Sequence, residues 1–144
     1  MRPWLSRLLL ATGLGVLAVV GWLWFSLFSP WGYDPPADLQ PIDQGTTHQV
    51  FVYGTLRQPI VRRLVTGRSI PTQPATLPDF FRQGLDLRPR AGAETPGEVF
   101  VVDADELARL DRYERLGVRY ERNKETLGDG ETAWVYTRLS DFEE

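Results

Sequence analysis

The feature that most constrains this chain is an apolar run from Leu8 to Phe28, LLLATGLGVLAVVGWLWFSLF, which holds 21 residues without a charge. At about 1.5 Å of rise per residue, a helix of this length spans roughly 30 Å, the hydrocarbon thickness of a membrane. The run therefore predicts one transmembrane helix, and we assign residues 1–29 to an N-terminal membrane anchor. A signal peptide cleaved near Val16-Leu17-Ala18 is the alternative.

The charges that flank the apolar run predict its orientation. Arg2 and Arg7 precede it, and the next basic residue is Arg57. Three acidic residues come before Arg57: Asp34, Asp38 and Asp43. Because basic residues are retained on the cytoplasmic side of a membrane, we expect a single-pass protein. Its N-terminus should lie in the cytoplasm and the rest of the chain on the periplasmic or extracellular side.

The remainder of the chain reads as a spacer followed by one folded domain. Residues 30–48 carry four prolines, which remove hydrogen-bond donors and stiffen a chain, so we assign them to a Pro-rich linker. Residues 49–144 are assigned to the domain. The sequence is 42% hydrophobic with a net charge of -3. This composition suits a folded protein and argues against nucleic acid as a partner.

Residue types limit the chemistry that the domain can perform. The chain has no cysteine and a single histidine, His48, to which we assign no role. Disulfides, thiolate catalysis and cysteine-based metal sites are therefore excluded, and a histidine metal cluster or a Ser-His pair is not supported. Carboxylates, hydroxyls, arginines or backbone amides must carry any reaction. We expect no metal and no organic cofactor.

Periodicity predicts an α+β domain whose sheet curls around a small core. The expected elements, in order, are a strand at 49–53, a short helix around 60–65 that ends at Gly67, short strand-like pieces near 75–77 and 80–87, a strand at 97–102, a helix at 103–116, and strands at 120–127 and 132–137. The last two strands are separated by Gly-Asp-Gly, which is a hairpin signal.

The helix that follows Asp103 carries a carboxylate in an unusual place. Asp103 can cap the helix, and Glu106 completes a capping box. At about 100° per residue, Glu114 falls between Leu107 and Leu110 on the apolar face. A carboxylate there costs free energy unless it is paired or protonated.

Several interpretations of Glu114 are open at this point. It can be a desolvated acid with a raised pKa, which suits general acid–base catalysis. It can instead form an ion pair with Arg119 or Arg122, or be exposed where the helix ends. Asp111 is the nearest competitor for the catalytic role, or else a structural acceptor for backbone or arginine donors.

A second candidate site follows the first strand, in Tyr53-Gly54-Thr55-Leu56. A glycine lets the backbone approach a ligand, and successive amides can hold a carboxylate. The same four residues can also form an ordinary turn.

Five segments together resemble the γ-glutamylcyclotransferase-like family. They are VFVYGTLR at 50–57, GEVFVVD at 97–103, LARLDRYE at 107–114, YERNKETL at 120–127 and AWVY at 133–136. The resemblance covers nearly all of residues 49–138 and none of the anchor. The short domain looks most similar to the γ-glutamylamine cyclotransferase-like subgroup.

The resemblance implies a small mixed β-barrel with flanking helices that releases 5-oxoproline from a small γ-glutamyl compound without a cofactor. It implies that Glu114 is the catalytic acid and base. It implies that the substrate is bound by Tyr53, Gly54, Thr55 and Leu56. Arg57 and Tyr120 are further candidates for the substrate pocket. Two alternatives are a non-catalytic binding module for a γ-glutamyl or small amino-acid ligand, and a scaffold in an envelope complex.

The orientation is directly testable. A reporter enzyme fused after Glu144 should be active only when the reporter works outside the cytoplasm, because the basic residues precede the apolar run. Activity of a reporter that works only in the cytoplasm would reverse the predicted topology.

Overall fold

The computed structural model describes residues 3–28 and 32–139, which fall into two compact units, 1–34 and 35–144. The first unit is one helix, α1 (Pro3–Phe28). Its segment Pro3–Ser26 has a mean hydropathy of 2.1 and is long enough to cross a membrane. The predicted helix is confirmed, and its length and composition fit either an anchor or a signal sequence. Sidedness stays a prediction, and residues 140–144 lie outside the described part of the chain.

The second unit contains one five-stranded sheet, two helices and a 3-10 turn. The elements are β1 (His48–Val52), the 3-10 turn (Thr55–Arg57), α2 (Pro59–Thr66), β2 (Gln73–Gln83), β3 (Asp86–Val102), α3 (Ala104–Glu114), β4 (Tyr120–Thr126) and β5 (Thr132–Arg138). The strand order is β2-β3-β1-β5-β4. The β1–β5 pair is parallel and the other three pairs are antiparallel. The α+β class and the mixed sheet are confirmed.

The sheet is a curled half-barrel rather than a full barrel. Its edge strands, β2 and β4, meet at one end, where the Gly128 N–H donates to the Thr76 carbonyl at 2.9 Å. The concave side holds the apolar core, which consists of Phe51, Tyr53, Leu77, Leu87, Leu127, Ala133 and Val135. Central strand β1 therefore delivers the residues that follow it to one end of this core.

The prediction of short strand pieces between residues 68 and 96 is wrong. β2 and β3 form one long hairpin, and the chain reverses at Gly84-Leu85, inside the piece predicted at 80–87. The prolines of this region do not interrupt the hairpin, because Pro89 and Pro96 lie where β3 pairs with β2 alone. β1 pairs only with residues 98–102 of β3. A proline that lacks an N–H is tolerated where a strand has no second neighbour.

The residues before β1 contact this unit. The Nη2 of Arg122 donates to the Gln40 carbonyl at 3.2 Å, and the Nε2 of His48 lies 2.9 Å from the Asp43 carbonyl. Contacts with the sheet thus begin within the segment that the sequence assigned to a linker. The boundaries 1–29, 30–48 and 49–144 stay predictions.

Helix α3 begins as the sequence predicted. The Asp103 carboxylate accepts a hydrogen bond from the Glu106 N–H at 2.8 Å, and the Glu106 carboxylate accepts from the Asp103 N–H at 2.9 Å. Leu107 and Leu110 are fully buried. The capping box and the apolar face fix the rotation of the helix, and so they set the direction in which Glu114 points.

We predict that Gly97→Ala is strongly destabilising. A Cβ at this position of β3 would lie 2.4 Å from the Val52 carbonyl oxygen and 2.5 Å from the Phe51 ring. The backbone atom cannot move aside cheaply, so the free energy of unfolding should fall by about 2 kcal/mol or more. Gly128→Ala is the matched control, because its nearest neighbour would be 3.5 Å away. Equal thermal midpoints for the two full-length variants would contradict this packing.

Candidate active site

A pocket opens where β1 ends on the concave side of the sheet. Its volume is about 70 Å³, and it is lined by Phe51, Val52, Tyr53, Gly54, Thr55, Leu56, Leu85, Glu114, Tyr120 and Tyr136. The structure thus brings together six of the seven residues that the sequence suggested. The exception is Arg57, which lies outside the lining and pairs with Glu98, Nε to Oε2, at 3.0 Å.

The loop between β1 and α2 is stabilised by hydrogen bonds from Arg62, a residue that the sequence did not suggest. The buried Arg62 donates through Nη1 to the carbonyls of Leu56, at 2.9 Å, and Arg57, at 3.1 Å. Its Nε donates to the Ile70 carbonyl at 3.1 Å. Carbonyl contacts to a buried cation are among the stronger hydrogen bonds in a protein. Arg62 therefore stabilises the loop in one conformation.

The amphipathic pattern of α2 does not predict that Arg62 stabilises the loop. The predicted helix is confirmed, but the two apolar residues Ile60 and Leu64 are 67% and 62% exposed, whereas Arg62 is 5% exposed. A charged residue at the fourth position of a short helix usually indicates a solvated side chain. Only the neighbouring carbonyls of the folded loop explain its burial.

The loop is also joined to α3. The hydroxyls of Thr55 and Tyr113 lie 3.1 Å apart, so the residue before Glu114 contacts the loop directly. Gly54 faces open space: a Cβ there would meet only a methyl carbon of Leu85, at 3.9 Å. A larger side chain at residue 54 would therefore enter the pocket.

Glu114 is the last residue of α3 and is partly exposed to the pocket. Among residues 3–28 and 32–139 it has no hydrogen bond or ion pair. Burial among protein atoms removes water from its carboxyl and raises its pKa from 4.5 to about 7. The ion pair with Arg119 or Arg122 that the sequence left open is not formed.

Arg122 pairs with Asp111 instead. Its Nε lies 3.0 Å from Asp111 Oδ1, and its guanidinium stacks on the Trp134 ring at 4.2 Å. Oδ1 also accepts a hydrogen bond from the Tyr136 hydroxyl at 2.5 Å. Burial raises the pKa of Asp111, although Tyr136 and Arg122 oppose that shift. Asp111 does not line the pocket, and its contacts are those of a structural acceptor.

Three tyrosines surround the carboxyl of Glu114, and two of their hydroxyls are occupied. Tyr53 donates to the Tyr136 carbonyl at 2.8 Å, and Tyr136 donates to Asp111. In the described part of the chain the Tyr120 hydroxyl has no hydrogen-bond partner. Burial and the nearby charge of Glu114 raise the pKa of Tyr120, so its hydroxyl stays protonated and can donate to a ligand.

No group of three or more histidine, aspartate or glutamate side chains converges as a metal site within the described ranges. The polar groups that face the pocket are hydroxyls, one carboxyl and the backbone of the loop. This set can bind a small polar molecule and can move a proton at Glu114.

Residues 50–143 match the family model described as Gamma-glutamyl cyclotransferase, AIG2-like. The chain belongs to this family. It is also 42% identical over 84 residues to AIG2-like protein D of Arabidopsis thaliana, a match that covers 54% of each chain. The chain therefore spans about half the length of the curated relative it matches.

Solved structures show the same fold. The solution structure of At5g39720.1 from Arabidopsis thaliana superposes with a TM-score of 0.57 at 29% identity, over 70% of this chain and 74% of that one. A structure titled Gamma-glutamyl cyclotransferase gives a TM-score of 0.53 at 17% identity, over 65% and 68% of the two chains. The resemblance to the γ-glutamylcyclotransferase-like family is confirmed. The family points in general terms to a cyclotransferase.

We predict that Glu114→Gln changes the pH dependence of stability. Because the folded pKa is raised, the folded state holds its proton while the unfolded state loses it between about pH 4.5 and 7. Stability should therefore fall as pH rises through this window and then stay reduced. Glutamine removes this loss, so the variant should match the native chain near pH 4 and exceed it by up to about 3 kcal/mol above pH 7.

Thermal midpoints measured across pH 4–8 check this expectation, with Glu94→Gln, at an exposed position, as the control for loss of one charge. A constant difference between Glu114→Gln and the native chain across that range would show that the carboxyl is hydrated.

Proposed function

We propose that this chain is a membrane-anchored γ-glutamylcyclotransferase-like enzyme that releases 5-oxoproline from a small γ-glutamyl compound. Glu114 acts as general acid and base. The observation that supports this most directly is a desolvated carboxyl that has a pKa of about 7 and no partner among the described residues, in a pocket with the Tyr53–Leu56 loop. Among the γ-glutamyl compounds, we propose γ-glutamylamines as the substrate group.

The reaction is an intramolecular acyl transfer. The substrate's α-amine nitrogen attacks the γ-carbonyl carbon and closes the five-membered ring, and the bond from that carbon to the leaving nitrogen breaks. Glu114 takes one proton from the α-ammonium before the attack and a second from the ring nitrogen after the ring has closed. It passes both in turn to the leaving nitrogen, which departs as an ammonium, so no net proton is consumed or released. Both nitrogens must come within hydrogen-bond reach of the same carboxyl.

The pKa of Glu114 makes the proton transfer feasible. An α-ammonium has a pKa of about 8 and an ordinary glutamate about 4.3, a gap that costs about 5 kcal/mol. A carboxyl with a pKa of about 7 leaves a gap of about one unit, or about 1.4 kcal/mol. Desolvation thus makes Glu114 a better base without the help of a second charged group.

The other pocket residues are proposed to bind the substrate. The backbone amides of the Tyr53–Leu56 loop hold the α-carboxylate, and the Tyr120 hydroxyl donates to the γ-carbonyl oxygen as negative charge develops there. Arg62 and Tyr113 keep the loop in place, through the Leu56 and Arg57 carbonyls and the Thr55 hydroxyl.

We further propose that α1 stays attached as a single-pass anchor, with the N-terminus in the cytoplasm and the domain on the opposite side. The absence of charge over Leu8–Phe28 and the preceding Arg2 and Arg7 support this. The substrate would then be met outside the cytoplasm.

A binding module is the second candidate function, and one observation favours it. Glu114 has no partner among the described residues, and in its ionised form it can hold a substrate ammonium without taking a proton from it. Such a protein would bind γ-glutamyl compounds in the same pocket and release no product.

We predict that Glu114→Gln lowers turnover by about 10²–10⁴-fold, because glutamine keeps the size of the side chain but cannot transfer a proton. The full-length chain in detergent is incubated with γ-glutamylamines, and 5-oxoproline is measured. The fold should persist, since a neutral amide is less costly to bury than a carboxylate. Glu94→Gln, at an exposed position, should retain native turnover.

Native turnover in Glu114→Gln would contradict the catalytic role. Calorimetric binding of a γ-glutamylamine to the native chain without any release of 5-oxoproline would instead favour the binding module.

A further inference from the structure

The tip of the β2–β3 hairpin places a leucine at the mouth of the pocket. Gln83 pairs with Asp86, so Gly84 and Leu85 form a two-residue turn. Gly84 has φ 63 at the first central position, as in a type II′ turn. Leu85 is 57% exposed, yet it lines the pocket and reaches within 3.9 Å of the Cβ position of Gly54.

Contacts on both sides of the turn hold this leucine in place. The Nε of Arg82 donates to the Gly84 carbonyl at 2.7 Å. Arg138 Nη1 lies 3.5 Å from the Asp86 carboxylate. Arg138 is the register partner of Tyr120, so the hairpin tip is connected to the strand pair that carries the pocket tyrosine. Leu85 and Tyr120 thus line the same pocket.

The pocket is large enough to enclose only the reacting part of a substrate. A volume of about 70 Å³ is well below the roughly 300–1,000 Å³ of ordinary ligand pockets. The proposed reaction requires the γ-carbonyl and both nitrogens near Glu114. Any group carried by the leaving nitrogen must then extend past the enclosed space to the mouth, where Leu85 lies.

The charges around the mouth disfavour a cationic leaving amine. Asp86 is already paired with Arg138, and Arg82 is bonded within its own turn. Arg119 lies close enough to Tyr120 to lower the pKa of its hydroxyl, and it has no ion-pair partner in the described part of the chain. A positive charge on the leaving group would therefore meet Arg119, while the carboxylate of the hairpin tip, Asp86, is already paired.

We propose that Leu85 determines the specificity for the leaving group, and that the preferred substrates are γ-glutamyl amides of apolar, uncharged amines. This inference rests on the proposed function. The alkyl or aryl part of the amine packs on the Leu85 side chain, which loses solvent contact only when that group is present. A small amine gains little from this contact.

The expected size of the effect follows from the burial of methylene groups. A fully buried methylene contributes about fourfold to an equilibrium or rate constant. Leu85 can cover only one side of a leaving group, so three added methylenes should raise kcat/KM by about tenfold. Leu85→Ala shortens the side chain and should remove most of this preference.

The test compares three substrates on the full-length chain in detergent: γ-glutamyl methylamide, γ-glutamyl butylamide and the amide of 1,4-diaminobutane. The native chain should prefer the butylamide over the methylamide by about tenfold and over the cationic amide by more. Leu85→Ala should bring the butyl-to-methyl ratio close to one. Leu64→Ala on α2, an equally exposed leucine away from the pocket, should keep the native ratio.

The ratio of the two kcat/KM values is unaffected by a loss of active protein, so partial unfolding of a variant does not obscure the result. A native preference that persists in Leu85→Ala, or a native preference for the cationic amide, would overturn this inference and leave the proposed function standing. Absence of 5-oxoproline from all three substrates with the native chain would overturn both.

Discussion

The contact among Asp111, Arg122 and Tyr136 is the constraint on which the rest of the site depends. It ties α3 to β4 and β5 through one buried carboxylate, and it occupies the Arg122 guanidinium and the hydroxyl of Tyr136, which lines the pocket. Had Arg122 been paired with Glu114, that pair would have kept the carboxyl ionised at low pH. Because Asp111 binds these groups, desolvation alone acts on Glu114, and its pKa rises to about 7. Asp111 therefore has a structural role, and Glu114 is left available for proton transfer.

The sequence predicted the parts of this arrangement that follow from local rules. A capping box and two buried leucines fix the rotation of α3, so the position of Glu114 could be read from helical periodicity. The loop after β1 was found because a glycine ends a hydrophobic strand. Which arginine would pair with which acid was not predictable, since Arg122 and Asp111 lie on different elements and meet only after the sheet has formed.

Other features depended on tertiary contacts in the same way. Arg62 is buried because three carbonyls converge on it, and nothing in the local sequence shows that convergence. The long β2–β3 hairpin was read as short pieces because its prolines suggest breaks. These prolines are compatible with β3 only where it does not also pair with β1. Gly84 was the available signal for the turn, since glycine readily adopts the positive φ that a type II′ hairpin turn requires at its first central position.

The proposed chemistry depends on the protonation state of Glu114, which infrared difference spectroscopy can measure directly. Spectra of the full-length native chain and of Glu114→Gln, recorded across pH 5–9, isolate the carboxyl band of this one residue. We expect a protonated carboxyl at pH 5 that is half ionised near pH 7. A Glu114 carboxylate that is already fully ionised at pH 5 would contradict this expectation, because such a group would be a poor base for an α-ammonium.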